Sequence, residues 1–165
     1  MPEENAIFST VILAVFSMVS FVFFDFVQRK IFKNEVFCAA MIFVLSALSA
    51  AILYLVNLLN GVAFVSMLLL AVIVASMHGI NLMLISVVPK RFLKTGKVST
   101  FSGILNACTY VGASLSTYGF AALAERFGWS FTILMWVVVA ILGILVCLLA
   151  APAWRRFRRD FADVE

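Results

Sequence analysis

The chain has 165 residues, of which 65% are hydrophobic and 12% are charged, and its mean hydropathy is +1.15. Globular domains carry about 25% charged residues, so this composition excludes a soluble domain. The net charge of +4 could indicate nucleic-acid binding. However, the basic residues lie beside apolar segments rather than along one soluble face, which favours contact with anionic lipid.

Eleven of the twelve lysines and arginines fall in three clusters, at residues 29–33, 90–97 and 155–159. Apart from these clusters the chain has three long segments without Asp, Glu, Lys or Arg, at residues 36–89, 98–124 and 127–154. A bilayer core about 30 Å thick takes roughly 20 residues of helix per crossing, so the first segment must cross twice. The other two segments cross once each, and so does the shorter apolar run at residues 6–24. The sequence therefore predicts an all-α membrane protein with five transmembrane helices, at residues 7–27, 36–56, 62–88, 98–120 and 130–151.

The first helix follows the acidic start Met1-Pro-Glu-Glu-Asn, which lacks the positive charge of a signal peptide, so it is predicted to be a membrane span. Near its inner end, Asp25 is expected to form an interfacial ion pair with Arg29 rather than to carry a proton. Basic residues are retained in the cytoplasm, which places the N-terminus outside and the tail at residues 152–165 inside. The predicted location is the plasma membrane.

The second and third helices are joined by residues 57–61, an uncharged turn with asparagine and glycine. Pro89 is expected to end the third helix and to begin a cytoplasmic loop that runs to Lys97. The fourth helix is crowded with small residues, so we expect it to pack on protein along most of its length. The second and fifth helices, which lack ionisable residues, are expected at the periphery. On this view, replacing Gly112 by Leu should disturb packing more than replacing Ala140.

Polar side chains occur inside two of the predicted spans. His78 and Asn81 lie one turn apart on the third helix, and Asn106 and Tyr110 lie at a similar depth on the antiparallel fourth helix. The two pairs are predicted to meet near the midplane and to line a substrate cavity, because intramembrane ionisable residues are functional by default. The alternative, which is equally open for Asn106 and Thr109, is interhelical hydrogen bonding that only holds the bundle together.

No catalytic constellation is found in the sequence. Cys38, Cys108 and Cys147 lie in apolar segments without metal-ligand or redox spacing, so they are interpreted as packing residues. There is no nucleophile with a base, no carboxylate pair and no glycine-rich phosphate loop. The sequence predicts neither an enzyme nor a bound cofactor or metal.

Three stretches of sequence resemble the C-terminal end of a major facilitator superfamily transporter. They are a Pro-x-x-Phe…Gly loop at residues 89–103, a small-residue helix with Tyr-x-Gly at residues 110–112, and Glu-Arg-Phe-Gly-Trp at residues 125–129. The chain is most similar to the organophosphate:phosphate antiporter branch and would correspond to helices eight to twelve of twelve. It departs from the family pattern in lacking a Gly-x-x-x-Asp lead-in before residue 32.

The resemblance implies alternating access around a midplane site. It places Tyr110 at a cavity tyrosine of the eleventh helix, and His78 and Asn81 on the cavity-lining tenth helix. The family's phosphate-binding arginines belong to the first and seventh helices, which are absent here. The expected function is therefore that of a C-terminal transporter fragment for an organic phosphate or similar anion, not competent without its N-terminal half. The alternatives are a non-transporting small membrane protein or split-gene subunit, and an inactive gene fragment.

Overall fold

The computed structural model of the chain describes the backbone of residues 3–30, 34–59 and 61–162. It describes the side chains of the same residues, except those of residues 3–10, 12, 13, 29, 94, 95 and 160–162. The predicted features at Lys33, at Asn60 and at the last three residues of the tail lie outside the described residues. So does the Arg29 side chain, and with it the predicted partner of Asp25.

The described residues form helices and no strand, which confirms the all-α prediction. The helices are α1 (Glu3–Lys30), α2 (Glu35–Leu58), α3 (Ala63–Leu82) and α4 (Val98–Ala162). By length and composition, three stretches could cross a membrane: Glu35–Leu58, Ala63–Leu93 and Val98–Arg159. A shorter apolar helix covers Ala14–Gln28. These helices fit a membrane protein, while five crossings stay a prediction.

Helix α4 is not one straight rod. At Gly128 the backbone has φ 79° and ψ 173°, a conformation that is essentially open only to glycine. The rings of Phe120 and Trp136 lie 6.2 Å apart, although 16 residues of continuous helix would separate them by about 24 Å. The chain therefore turns back at Gly128, between the fourth and fifth predicted helices at residues 98–120 and 130–151. We call residues 98–127 the first arm of α4 and residues 129–162 the second arm.

The segment between α3 and α4 differs from the predicted helix end and loop. Ordinary α-helical geometry stops at Leu82, and a π-helical turn (Met83–Val87) and a 3-10 helix (Val88–Thr95) follow. We call these residues 83–95 the connecting segment. Pro89 has no N–H and its ring would collide with the carbonyl four residues earlier, so regular α-helix is disfavoured there. That carbonyl belongs to Ile85, and it accepts a hydrogen bond from Ser102 Oγ at 3.4 Å.

Helix α2 occupies the centre of the bundle, contrary to the predicted peripheral position. It contacts both α3 and α4, and it contributes to both buried apolar clusters. One cluster contains Phe24, Cys38, Ile42, Ile80 and Met83; the other contains Ala50, Leu53, Ile73 and Ile133. Its small side chains permit this position, since Ser46, Ser49 and Ala50 are all buried and small residues allow neighbouring helices to approach closely.

The two arms of α4 pack very differently. The second arm lies on α2, where Ala140 is 1% exposed and a side chain at Gly143 would collide with the ring of Phe43. The first arm contacts the rest of the chain near its ends, and residues 110–118 in its middle are exposed. No atom lies within 4 Å of the position that a Cβ would take at Gly112. Contrary to prediction, the small residues in the middle of this arm are exposed and do not pack on the other described residues.

Candidate functional site

The predicted cavity residues on α3 lie beside α1. His78 is partly buried, and its ring lies 5.3 Å from the ring of Phe21 at an interplanar angle of 52°. The backbone at the adjacent Gly79 is packed against the ring of Phe24, so this side of α3 fits closely onto α1. Asn81, three residues after His78, is also partly buried.

The predicted cavity residues on the first arm of α4 are more accessible. Tyr110 is 68% exposed and Asn106 is partly buried. The nearby hydroxyl of Thr109 donates to the carbonyl of Leu105 at 2.7 Å, within its own helix. This back-bonding satisfies the hydroxyl without a second helix, so Thr109 supports neither interpretation of the polar residues.

The structure does not join the two predicted pairs. Helix α3 packs chiefly on α1 and α2, whereas α4 packs chiefly on α2 and the connecting segment. Among the described side chains, none of the hydrogen bonds links His78 or Asn81 to Asn106 or Tyr110. A cavity shared by the four residues stays a prediction.

A buried carboxylate that was not singled out from the sequence joins three parts of the fold. Glu35, the first residue of α2, has a side chain with no exposed surface. Its Oε1 accepts a hydrogen bond from Arg91 Nε at 2.7 Å and forms an ion pair with the Nη2 of the same guanidinium. Its Oε2 accepts a hydrogen bond from Trp154 Nε1 at 3.1 Å, and Arg158 Nη1 lies 3.8 Å away. One carboxylate therefore ties α2 to the connecting segment and to the second arm of α4.

The position of Glu35 explains why a charge is tolerated there. A negative charge in the first turn of a helix interacts favourably with the helix dipole, and Arg91 supplies two N–H groups to one carboxylate oxygen. Beside it, the side chain of Asn34 accepts hydrogen bonds from the N–H groups of Val36 and Phe37, at 3.1 and 3.3 Å. The helix start and the carboxylate are thus held by hydrogen bonds, as burial of a charge requires.

Aromatic side chains cover the same end of the bundle. Phe92 stacks on Phe101 with ring centroids 3.8 Å apart. Phe92 also contacts Phe157, and the centroids of these two rings are 5.0 Å apart. Trp154 stacks on Phe157 at 5.3 Å, while its indole N–H points to Glu35. These rings bring the connecting segment and both arms of α4 together.

A cleft of about 600 Å³ opens next to this carboxylate. Its lining comes from α1, the connecting segment and the second arm, and comprises Asp25, Gln28, Val87, Lys90, Arg91, Leu93 and Arg158. We call this part of the molecule, where the basic residues of the connecting segment and the second arm meet, the basic end. From the sequence, the basic residues of this end were used only to predict the orientation of the chain in the membrane. The signal that could have revealed more is Glu35 itself, a single acidic residue just before 54 uncharged positions (residues 36–89).

The chain matches no protein family, no characterised protein and no solved structure in the comparisons made with each. The case for a function therefore depends on the residues and geometry described above. Two features of the structure bear on function: the open small-residue face of the first arm, and the basic end with its cleft. Among the described residues, no group of three or more His, Cys, Asp or Glu side chains could hold a metal ion.

Proposed function

We propose that this chain is the C-terminal part of a secondary active transporter of the major facilitator type. In this proposal it moves an organic phosphate or a similar small polar anion, and only together with a further helical bundle. The observation that supports it best is the open face of the first arm, where a Cβ added at Gly103, Gly112 or Gly119 would have none of the other described residues within 4 Å. Small residues at helix surfaces in membranes are typical of close helix–helix contact, and lipid chains gain nothing from them.

The distribution of charge supports the need for a second bundle. Desolvating a dianionic phosphate costs far more than neutral hydrogen bonds return, so a midplane site needs fixed positive charge. None of the five predicted spans contains Lys or Arg. The missing cations must then come from helices outside this chain, with His78 and Tyr110 as the proposed contributions of this chain to the cavity.

Crosslinking in cell membranes tests the contact of the first arm. A photoreactive residue at Gly112 should crosslink to protein, whereas one at Leu149, which is 79% exposed on the second arm, should crosslink to lipid. Lipid adducts at both positions would contradict the contact. Transport by the chain alone is tested in liposomes, where we expect no exchange of labelled phosphate above background. Robust exchange would refute the requirement for a second bundle.

Uptake of labelled sugar phosphate by cells that naturally make the chain tests the proposed cavity. Replacing His78 or Tyr110 by Ala should lower uptake about tenfold, the equivalent of about 1.4 kcal/mol of substrate contact. Tyr118→Ala is the matched control, because Tyr118 lies on the same arm and is 80% exposed, compared with 68% for Tyr110. Equal loss in the Tyr110 and Tyr118 variants would remove Tyr110 from the site.

Orientation belongs to the same proposal: N-terminus outside, C-terminus in the cytoplasm, in the plasma membrane. Single cysteines at positions 59 and 94, in a chain without the natural three, separate the two sides. A membrane-impermeant thiol reagent should label position 59 in intact cells and position 94 only after lysis. The opposite pattern would invert the topology. A non-transporting subunit would show the same crosslinks and topology but no change in uptake in any variant.

A further inference from the structure

The cleft at the basic end has the composition of an anion site. Lys90, Arg91 and Arg158 supply three positive charges to its lining, and Asp25 supplies one negative charge. Glu35 lies behind Arg91 and Arg158 and adds a second negative charge. Three positive charges against two negative charges leave the site with a net charge of +1 before any ligand enters.

The groups that face the cleft are not all used within the protein. Lys90 is exposed, and none of the ion pairs between described residues involves its ammonium group. Gln28 is only 7% exposed, lines the cleft, and its amide takes part in none of the hydrogen bonds between described side chains. An ammonium donor and an amide donor thus border the same space as the guanidinium of Arg91, which Glu35 holds in one orientation.

The place of the cleft in the fold indicates the kind of ligand. Gln28 is the last residue of the apolar stretch Ala14–Gln28, and Lys90 and Arg91 lie close to the end of Ala63–Leu93. Where an apolar membrane helix ends and charged residues begin, the phosphate groups of a bilayer begin too. Basic pockets between membrane helices on the side rich in Lys and Arg bind anionic lipid head groups.

We propose that this cleft binds the phosphate group of an anionic ligand, with Lys90 and Arg91 as its charged contacts and Gln28 as a neutral donor. Phospholipid head groups and free inorganic phosphate present the same chemistry to these side chains. Val87 and Leu93 add an apolar border to the cleft, which suits a head group with its glycerol and acyl chains. This site is separate from the proposed midplane cavity, and it stands whether or not the chain takes part in transport.

Retention of lipid by the purified full chain tests the site. The chain in a neutral maltoside detergent is mixed with phosphatidylglycerol or with phosphatidylcholine, and bound lipid is counted by native mass spectrometry. Lys90→Gln should weaken phosphatidylglycerol binding about fivefold, since one basic side chain near a lipid head group contributes about 1 kcal/mol. Lys97→Gln is the matched control, because Lys97 is exposed, lies outside the cleft and loses the same charge.

The control should change binding by less than about twofold at physiological salt, because Lys97 does not line the cleft and the charge of an exposed side chain is screened by salt. A parallel titration with inorganic phosphate distinguishes the two sources of the ligand. Loss of phosphatidylglycerol binding in Lys90→Gln alone supports a head-group site, and loss of inorganic phosphate binding in the same variant supports a free-anion site. If Lys90→Gln and Lys97→Gln behave alike with both probes, the attraction is diffuse and the proposed site is refuted.

Discussion

Neutralising one partner of the buried ion pair at the basic end should destabilise the protein by an amount that depends on which partner is changed. In Arg91→Gln, the Glu35 carboxylate keeps no exposed surface but loses its closest cation. Breaking a buried pair in this way costs about 3–5 kcal/mol. The value should fall near 3 kcal/mol, because Trp154 still donates to Oε2 and Arg158 stays 3.8 Å away.

In Glu35→Gln, by contrast, the partner left behind is the Arg91 guanidinium, whose side chain is 44% exposed and can turn to water. The loss is then that of a hydrogen bond to a charged group, about 1.5–3 kcal/mol, reduced further by solvent screening. The double variant should be no less stable than Arg91→Gln alone, since a neutral amide at position 35 no longer needs a cation. We therefore expect Arg91→Gln to be less stable than Glu35→Gln. We also expect the losses of stability in the two single variants not to add in the double variant.

Thermal unfolding of the detergent-solubilised protein measures these differences, with Lys97→Gln as a control for loss of one exposed positive charge. For a chain of this size about 1 kcal/mol corresponds to a Tm change of roughly 2–4 °C, so Arg91→Gln should lower Tm by about 6–12 °C. Glu35→Gln should lower it by less. Additive losses in the double variant, or a larger loss in Glu35→Gln than in Arg91→Gln, would show that the carboxylate is not buried as described.

Glycines provide the remaining predictions, all measured by the same unfolding assay. Gly143→Leu should lower the stability by about 1–3 kcal/mol, because the leucine side chain would overpack against Phe43. Gly112→Leu should leave the stability of the chain by itself nearly unchanged. Equal losses in the two variants would mean that the first arm is not open. Gly128→Ala should lower the stability by about 1–3 kcal/mol, because essentially only glycine adopts the backbone conformation found there. Gly119→Ala, within a helix, is the control. A Gly128→Ala protein as stable as the natural one would contradict the reversal of α4 at this residue.

The sequence was sufficient to predict that the chain is all-α. Long segments without charge can only be apolar helices in a chain this hydrophobic, and the turn at Gly128 follows from a glycine inside a polar interruption. It was not sufficient for the packing order. Small residues on α2, such as Ser46 and Ala50, carry the same signal as those on the first arm of α4, and composition does not decide which small face finds a partner within the chain.

The candidate site, too, could be predicted from the sequence only in part. Residue spacing along a helix predicts depth, so His78 and Tyr110 are predicted to lie near one level of the membrane. Rotation about the helix axis and the choice of neighbouring helix depend on tertiary contacts, and His78 lies against Phe21 of α1. Glu35 could not be recognised from local sequence, because its partners Arg91 and Trp154 are 56 and 119 residues away along the chain.

The basic end illustrates how one set of charges can meet two requirements. Lys and Arg beside apolar spans keep their loops in the cytoplasm, and any arrangement of the clusters would satisfy that rule. The same rule does not require a buried Glu35 that fixes the Arg91 guanidinium and leaves the Lys90 ammonium facing a cleft. Burying a carboxylate is costly unless it is paired and hydrogen-bonded, so this arrangement is expected where a guanidinium must be held in one orientation. Topology alone accounts for the number of positive charges at this end, whereas the proposed anion site accounts for where they point.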